Sequence, residues 1–239
     1  MFKQKLFVRV DDVYELNTEL ITLLDFAKKY NLVLSIGIIP LKIKKNCIDY
    51  LLKKEKEGSL NIHQHGVRHE KTGVGELGGE NESTLIKMGK TKMREYFGRN
   101  PKIISLPWQY HGKNSLALLD KNGYKLLSAH FDQRLKGKMF YFVGRIFRKS
   151  FFLGHHVSYH NRYIPGTNIF ELSTSVDTLS SYNPLKWKNF RKIKSELDSV
   201  KIDKVGLLMH PIEITENKAI VAELFNYIHK KYEVFGLLE

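Results

Sequence analysis

Aspartate and histidine side chains occur in pairs that could bind a metal ion and transfer protons. Asp11 and Asp12 are adjacent, and His65 and His69 are four residues apart in the segment HGVRH. On a helical turn this spacing would place both imidazoles on one face, where they could hold one metal ion. An aspartate would complete a set of two imidazoles and one carboxylate, which leaves positions open for water as a catalytic site requires.

The positions of these residues along the chain decide between two interpretations. Taken alone, a His-x-x-x-His pair is more typical of ordinary surface or core histidines. Here, however, Asp11 and Asp12 end one apolar run, the segment PWQYH at 107–111 ends another, and His210 directly follows a third. Active sites of parallel α/β folds form at the carboxyl ends of the strands. The recurrence of such residues at strand ends therefore favours a shared functional site.

The elements that would position this site alternate regularly along most of the chain. Apolar runs predict strands at 6–10, 32–39, 60–63, 103–106, 125–129 and 205–209, and amphipathic segments predict helices at 18–30, 47–57, 82–97, 115–121, 187–197 and 220–231. This order implies βαβ units and a mainly parallel sheet. Between about 130 and 184 the order breaks, and short strands are expected at 140–143, 151–153 and 169–172. We interpret 1–239 as a single α/β domain with a β-rich insertion at about 130–184.

Composition limits the class of protein. The chain has 239 residues and a single cysteine, Cys47, which excludes an internal disulfide framework and a cysteine-only zinc cluster. The N-terminus is too charged for a signal peptide, and apolar stretches reach only about half the length of a membrane-spanning helix. We therefore expect a soluble, cytoplasmic protein without a transmembrane segment.

The charge balance points to an anionic partner. With 39 Lys and Arg residues against 25 Asp and Glu residues, the formal net charge is 39 − 25 = +14. Phosphorylated or acidic substrates, nucleic acid and membrane surfaces would all suit this charge. In the basic, aromatic segment 186–194 the apolar residues have helical spacing, which favours a helix with a solvated basic face over a specific nucleic-acid site.

The motifs together resemble the polysaccharide deacetylase family, also called the NodB-homology domain. The resemblance rests on the Asp-Asp pair after a strand, HGVRH at 65–69, Pro107-Trp108 and the segment LMH at 208–210, and it covers residues 8–211. It implies an irregular (β/α) barrel of mainly parallel strands. It also implies a metal-dependent hydrolase that removes acetyl groups from N-acetylated or O-acetylated sugars.

The resemblance assigns a role to each matching residue. Asp11 would be the catalytic base and His210 the general acid. Asp12, His65 and His69 would bind a divalent metal ion, for which zinc is the favoured choice. The backbone N–H that follows Pro107, at Trp108, would stabilise the oxyanion. Beside that tryptophan, Tyr110 and His111 are further candidates for contacts with a sugar ring.

Three positions depart from the family pattern. Ser105 stands where members usually carry an arginine that orients the base, and Arg9 could replace it because residues two apart on a strand share a face. Val13 replaces the usual glycine after the aspartates. The acidic residue of the family's fourth motif has no clear match, and Glu171 and Asp177 are its candidates.

The leading hypothesis is a deacetylase acting on an acetylated sugar or glycan intermediate of polysaccharide biosynthesis, which could be phosphorylated or lipid-linked. Two alternatives stay open. One is a non-catalytic barrel that binds an acidic glycan or another polyanion through its basic surface. The other is a metal hydrolase of a non-sugar amide.

Overall fold

A computed structural model describes residues 3–70, 76–77, 79, 81–152 and 155–237. Within these ranges the strands are β1 Lys5–Val13, β2 Leu34–Ile38, β3 Leu60–His65, β4 Ile103–Ser105, β5 Leu126–Ser128, β6 Phe151–Phe152, β7 His155–His156, β8 Arg162–Tyr163, β9 Phe170–Glu171, β10 Val176–Asp177, β11 Leu179–Tyr182, β12 Leu185–Trp187, β13 Lys204–Met209 and β14 Glu233–Val234. The helices are α1 Thr18–Lys29, α2 Lys45–Lys56, α3 Glu82–Phe97, α4 Ser115–Lys121, α5 Leu135–Ile146, α6 Phe190–Ser199 and α7 Lys218–Lys231, and a short 3₁₀ turn covers Pro107–Gln109.

The chain divides into two compact units. The first unit comprises Met1–Gly37, Lys44–Ile62 and Thr174–Glu239, and the second comprises Ile38–Ile43 and His63–Ser173. The interpretation of 1–239 as a single domain stays a prediction.

The first unit is built around strand β1, which runs parallel to β13 and β14. Its strand order is β10-β13-β1-β2, with β14 also beside β1. Residues 6–10 of β1 are all buried, as expected for a parallel strand covered on both faces. Helices α1 and α7 contribute a buried apolar stripe each, formed by Leu20, Leu23, Leu24, Ala27, Val221, Leu224, Phe225 and Ile228.

The second unit continues the same α/β pattern. Its strand order is β3-β4-β5-β9-β8, in which β3 contributes residues 63–65, and the pairs are parallel except for the β8–β9 edge. Its core contains an apolar cluster that includes Ile86, Ile104, Leu106, Leu116, Leu119, Tyr124, Leu127 and Ile169. The predicted fold class, α/β with mainly parallel strands, is confirmed in both units.

The segment 130–184 differs from the sequence prediction. The strand expected at 140–143 is wrong, because these residues lie inside helix α5. The expected strand at 169–172 corresponds to β9, which pairs in parallel with β5 and so belongs to the main sheet. Phe151–Phe152 forms an antiparallel pair with β7, and position 153 of that expected strand lies outside the described residues.

Two further findings concern the helices. Trp187 belongs to strand β12, and α6 begins only at Phe190, where the Asn189 side chain accepts a hydrogen bond from Lys192 N at 2.9 Å. Asparagine at this position ends the preceding strand and caps the helix. Among the described helices, none combines the length and the apolar character needed to cross a membrane.

Candidate active site

In the first unit, a buried ion pair holds the first aspartate. The Arg9 Nη2 atom donates a hydrogen bond to Asp11 Oδ2 at 2.8 Å, and the two side chains are 0 % and 3 % exposed. The alternation of strand β1 places both residues on one face. Arg9 thus contacts Asp11, as expected if it replaces the arginine that family members usually carry at the position of Ser105.

The second aspartate lies beside the histidine that follows β13. Asp12 has a φ of +62°, a left-handed conformation that non-glycine residues adopt rarely. Its Oδ2 atom is 3.7 Å from His210 Nε2. The parallel register pairs Val10 with Met209, so Asp12 and His210, which follow these partners by two residues and one residue, lie at the same end of the two strands. The structure therefore brings the predicted carboxylate and the predicted general acid together.

Tyr182 packs against His210, a contact with no signal in the sequence. The two ring centroids are 5.3 Å apart in an edge-on arrangement. The Tyr182 hydroxyl donates a hydrogen bond to Asp177 Oδ2, and burial together with the charge of Asp177 raises the pKa of this phenol. His210 Nδ1 is buried and has no hydrogen-bond partner among the described residues. The tyrosine therefore fixes one side of an imidazole whose Nε2 faces Asp12.

In the second unit, His65 ends strand β3 next to Ser105 at the end of β4. The two residues are register partners in the parallel pair. The Ser105 hydroxyl lies 2.8 Å from His65 Nδ1 and 3.1 Å from His63 Nε2. At the position where the family usually has an arginine, this chain therefore has a hydroxyl that contacts a predicted metal ligand.

The segment from His65 to His69 is a tight turn, so the helical turn expected from the histidine spacing is wrong. Gly66 and His69 have φ values of +55° and +54°. A Cβ at Gly66 would lie 2.7 Å from Pro107 Cγ, so only glycine fits there. The two histidine rings nevertheless come together, with centroids 5.3 Å apart.

A buried carboxylate holds this turn in place. Glu76 accepts hydrogen bonds from the backbone N–H groups of Val67 at 2.9 Å, Arg68 and His69 at 3.1 Å. Three consecutive donors on one carboxylate fix the backbone that carries His69. Glu76 was not predicted as a site residue, because no local pattern links it to residues 67–69.

The Pro107–Gln109 turn places an aromatic side chain beside this histidine. Trp108 has a φ of +52°, and its ring centroid is 4.5 Å from that of His69. Trp108 and Tyr110 also line a cavity of about 290 Å³, together with Gln109, His130, Asp132, Gly137, Phe140, Tyr141, His155 and His156. Two of the predicted substrate-contacting residues therefore share one concave surface.

His111, in contrast, is buried within a hydrogen-bonded chain. Its Nε2 atom is 3.0 Å from His156 Nδ1, and His156 Nε2 is 3.0 Å from Glu171 Oε2. Burial, and then the neighbouring His156, lowers the pKa of His111 to about 3. Burial alone would raise the pKa of Glu171, but the charge interaction with His156, together with hydrogen bonds from His156, Ser158 and Ser173, lowers it to about 2. His111 therefore supports the wall of the cavity and does not line it.

Solved structures provide the comparison, because the sequence matches neither a protein-family model nor a curated protein. The polysaccharide deacetylase Bc1974 from Bacillus cereus aligns with 99 % of this chain and 94 % of its own at 13 % identity, with a TM-score of 0.58. The family 4 acetyl xylan esterase from Clostridium thermocellum, in complex with a cobalt ion, covers 98 % of this chain and 89 % of its own at 13 % identity and a TM-score of 0.58. The Xyl-CE4 domain of a multidomain xylanase from the hindgut metagenome of Trinervitermes trinervoides covers 99 % and 88 % at 9 % identity and a TM-score of 0.62.

The chain shares the fold of these enzymes. The resemblance inferred from the motifs is thereby confirmed at the level of the fold.

Proposed function

We propose that the chain is a metal-dependent hydrolase that removes acetyl groups from a sugar or glycan. The observation that carries this proposal is the arrangement in the first unit: Arg9 paired with Asp11, and Asp12 beside His210, at the carboxyl ends of β1 and β13. The shared fold with deacetylase and esterase domains supports the same activity.

The proposed metal ligands are Asp12, His65 and His69, each of which offers one ligand atom. Two imidazoles and one carboxylate suit a divalent ion such as zinc and leave coordination positions open. Because the Ser105 hydroxyl contacts His65 Nδ1, this histidine would bind the metal through Nε2. When bound, a divalent ion would polarise the acetyl carbonyl and lower the pKa of a water molecule.

Asp11 is proposed as the base that removes a proton from the attacking water. The guanidinium of Arg9 favours the ionised carboxylate and holds its orientation. His210 would donate a proton to the departing amine or alkoxide, a role that suits imidazole near neutral pH. Asp12 and Tyr182, on two sides of His210, would keep its ring in place for this transfer.

The second unit would supply the substrate contacts. The backbone N–H of Trp108 is proposed to stabilise the oxyanion that develops on the acetyl group. The Trp108 and Tyr110 rings on the cavity wall suit stacking against a sugar ring. The net charge of +14 favours a substrate that carries negative charge, such as a phosphorylated or lipid-linked glycan intermediate. A cytoplasmic location stays a prediction.

Metal content and acetate release, measured on the same preparations, test this proposal. The His69→Ala variant should lose bound zinc and acetate release from acetylated chito-oligosaccharides. The Asp11→Asn variant should keep its zinc but release acetate at least about 100-fold more slowly, because only the base is removed. The exposed His229 provides a matched control, and His229→Ala should leave both quantities unchanged.

Two results would contradict the proposal. Undiminished zinc in the His69→Ala variant would remove the site assignment. Salt-sensitive binding of acidic glycans by a zinc-loaded protein that releases no acetate would favour the non-catalytic alternative.

A further inference from the structure

Helix α5 exposes a continuous apolar face to solvent. Its side chains are 39 % to 74 % exposed, and they are Leu135, Met139, Phe142, Val143, Ile146 and, at the C-cap, Phe147. Their spacing places them on one side of the helix. We call these six residues the α5 apolar face. A contiguous exposed patch of this kind marks an interaction site more often than it occurs by chance.

The opposite side of α5 is firmly packed against the second unit. Gly144 lies against Val157 so closely that a Cβ at this glycine would be 2.6 Å from Val157 Cγ2. The Arg145 guanidinium donates a hydrogen bond to Ser158 O at 2.8 Å and lies over the ring of Tyr141. These contacts fix the rotation of the helix, so the α5 apolar face cannot turn inward.

Positive charge surrounds this face. The sequence from 133 to 170 contains seven Lys and Arg residues and no Asp or Glu. Six of the seven are exposed, and five of these lie within α5 or within three residues of its ends: Arg134, Lys136, Lys138, Arg148 and Lys149. Within the described ranges, one member of this group forms an ion pair. It is Arg134, whose Nη2 atom lies 2.7 Å from Asp132 Oδ2. The surface therefore combines exposed aliphatic and aromatic side chains with exposed cations, in a stretch of sequence without acidic residues.

We propose that α5 lies flat on an anionic lipid bilayer, with its apolar face in the headgroup region. A helix with apolar residues on one face and Lys or Arg beside them has the chemistry of an interfacial helix. With twelve residues, α5 is about 18 Å long, which suits a position in the bilayer plane and not across it. A second copy of the chain is the less suitable partner, because two such faces would bring like charges together.

Vesicle sedimentation tests this proposal with the full chain. The protein should bind vesicles of phosphatidylcholine that contain phosphatidylglycerol and bind pure phosphatidylcholine vesicles much more weakly. The double substitution Phe142→Ser with Ile146→Ser should weaken binding at least about tenfold, since it removes apolar area that would be buried in the headgroup region of the bilayer. Lys136→Gln with Lys138→Gln should weaken it about fivefold for each cation removed.

The controls separate membrane binding from misfolding and from self-association. Tyr163 is equally exposed but lies outside α5, and Tyr163→Ser should bind vesicles as the unmodified protein does. Circular dichroism should show unchanged folding in each variant. The proposal is overturned if the protein ignores anionic vesicles, if Phe142→Ser with Ile146→Ser binds equally well, or if neutral vesicles bind equally well. A dimer that dissociates in this double variant, without vesicle binding, would identify a second copy as the partner instead.

Discussion

A single hydroxyl group, that of Ser105 at the end of β4, contacts two imidazoles of the neighbouring strand β3. It contacts His65 Nδ1 at 2.8 Å and His63 Nε2 at 3.1 Å. A partner on the second ring nitrogen orients a metal-binding histidine and raises its affinity. We therefore expect Ser105→Ala to weaken zinc binding about 10- to 100-fold, measured by competition with a chelator. The exposed Ser199 serves as the control, and equal affinity in Ser105→Ala and Ser199→Ala would contradict this role.

A second prediction at the residue scale concerns the stability that the Arg9–Asp11 ion pair contributes. Both side chains are buried, so removing the cation takes a charged partner away from a carboxylate in a low-dielectric environment. Arg9→Met should lower the free energy of unfolding by about 3–5 kcal/mol, measured by urea denaturation. Adding Asp11→Asn to Arg9→Met should recover part of this loss, because the buried negative charge disappears. If the double variant were no more stable than Arg9→Met, charge burial would not be the cause.

The turn at 66–69 shows how one acidic side chain shapes an element. Glu76 is buried and accepts from three consecutive backbone N–H groups, which would lose their acceptor in Glu76→Ala. We expect this substitution to lower the free energy of unfolding by about 1–3 kcal/mol and to weaken zinc binding, because the backbone of His69 is released. Calorimetric zinc titration and urea denaturation measure the two effects. Glu70→Ala, a change at the exposed residue directly after this turn, should alter neither.

An element can be predicted from the sequence when the interactions that form it lie within its own segment. Helix α3, Glu82–Phe97, has the predicted bounds because its apolar spacing and its Gly98 C-cap lie within the segment itself. The contact between Arg9 and Asp11 is equally predictable from strand alternation. The turn at 66–69 depends on Glu76 and Pro107, which no short pattern connects to it. The register that places Ser105 beside His65 likewise exists only in the folded sheet.

Helix α5 was missed for a different reason. Its central run, FYFV at 140–143, combines aromatic and β-branched residues that favour strands. The helical period is present, but sequence interpretation assumes that apolar side chains face a core. Here Tyr141 and Gly144 face inward, and the larger apolar set faces solvent. A surface element whose apolar face is exposed therefore conflicts with the pattern by which helices are predicted.

For the molecule as a whole, the His111–His156–Glu171 chain predicts a loss of stability in acid. The pKa of His111 falls from 6.5 to about 3 on folding, so below pH 6.5 the unfolded chain binds a proton that the folded chain does not. The free energy of unfolding should therefore fall as the pH drops from 6.5, with a limiting slope of about 1.4 kcal/mol per pH unit. The pKa of Glu171 falls from 4.5 to about 2, which adds a second loss that begins near pH 4.5 and continues to about pH 2.

The two tryptophans allow unfolding to be followed by a probe in the second unit, because Trp108 lies in that unit and Trp187 in the first. In a Trp187→Phe background, urea unfolding followed by Trp108 fluorescence should show the acid-dependent slope between pH 6.5 and 4.5. Adding His111→Gln should flatten the slope in this window, since the residue that takes up the proton on unfolding is gone. His229→Gln removes an exposed histidine and should leave the slope as it was. An unchanged slope in His111→Gln would mean that another group controls the acid sensitivity of this unit.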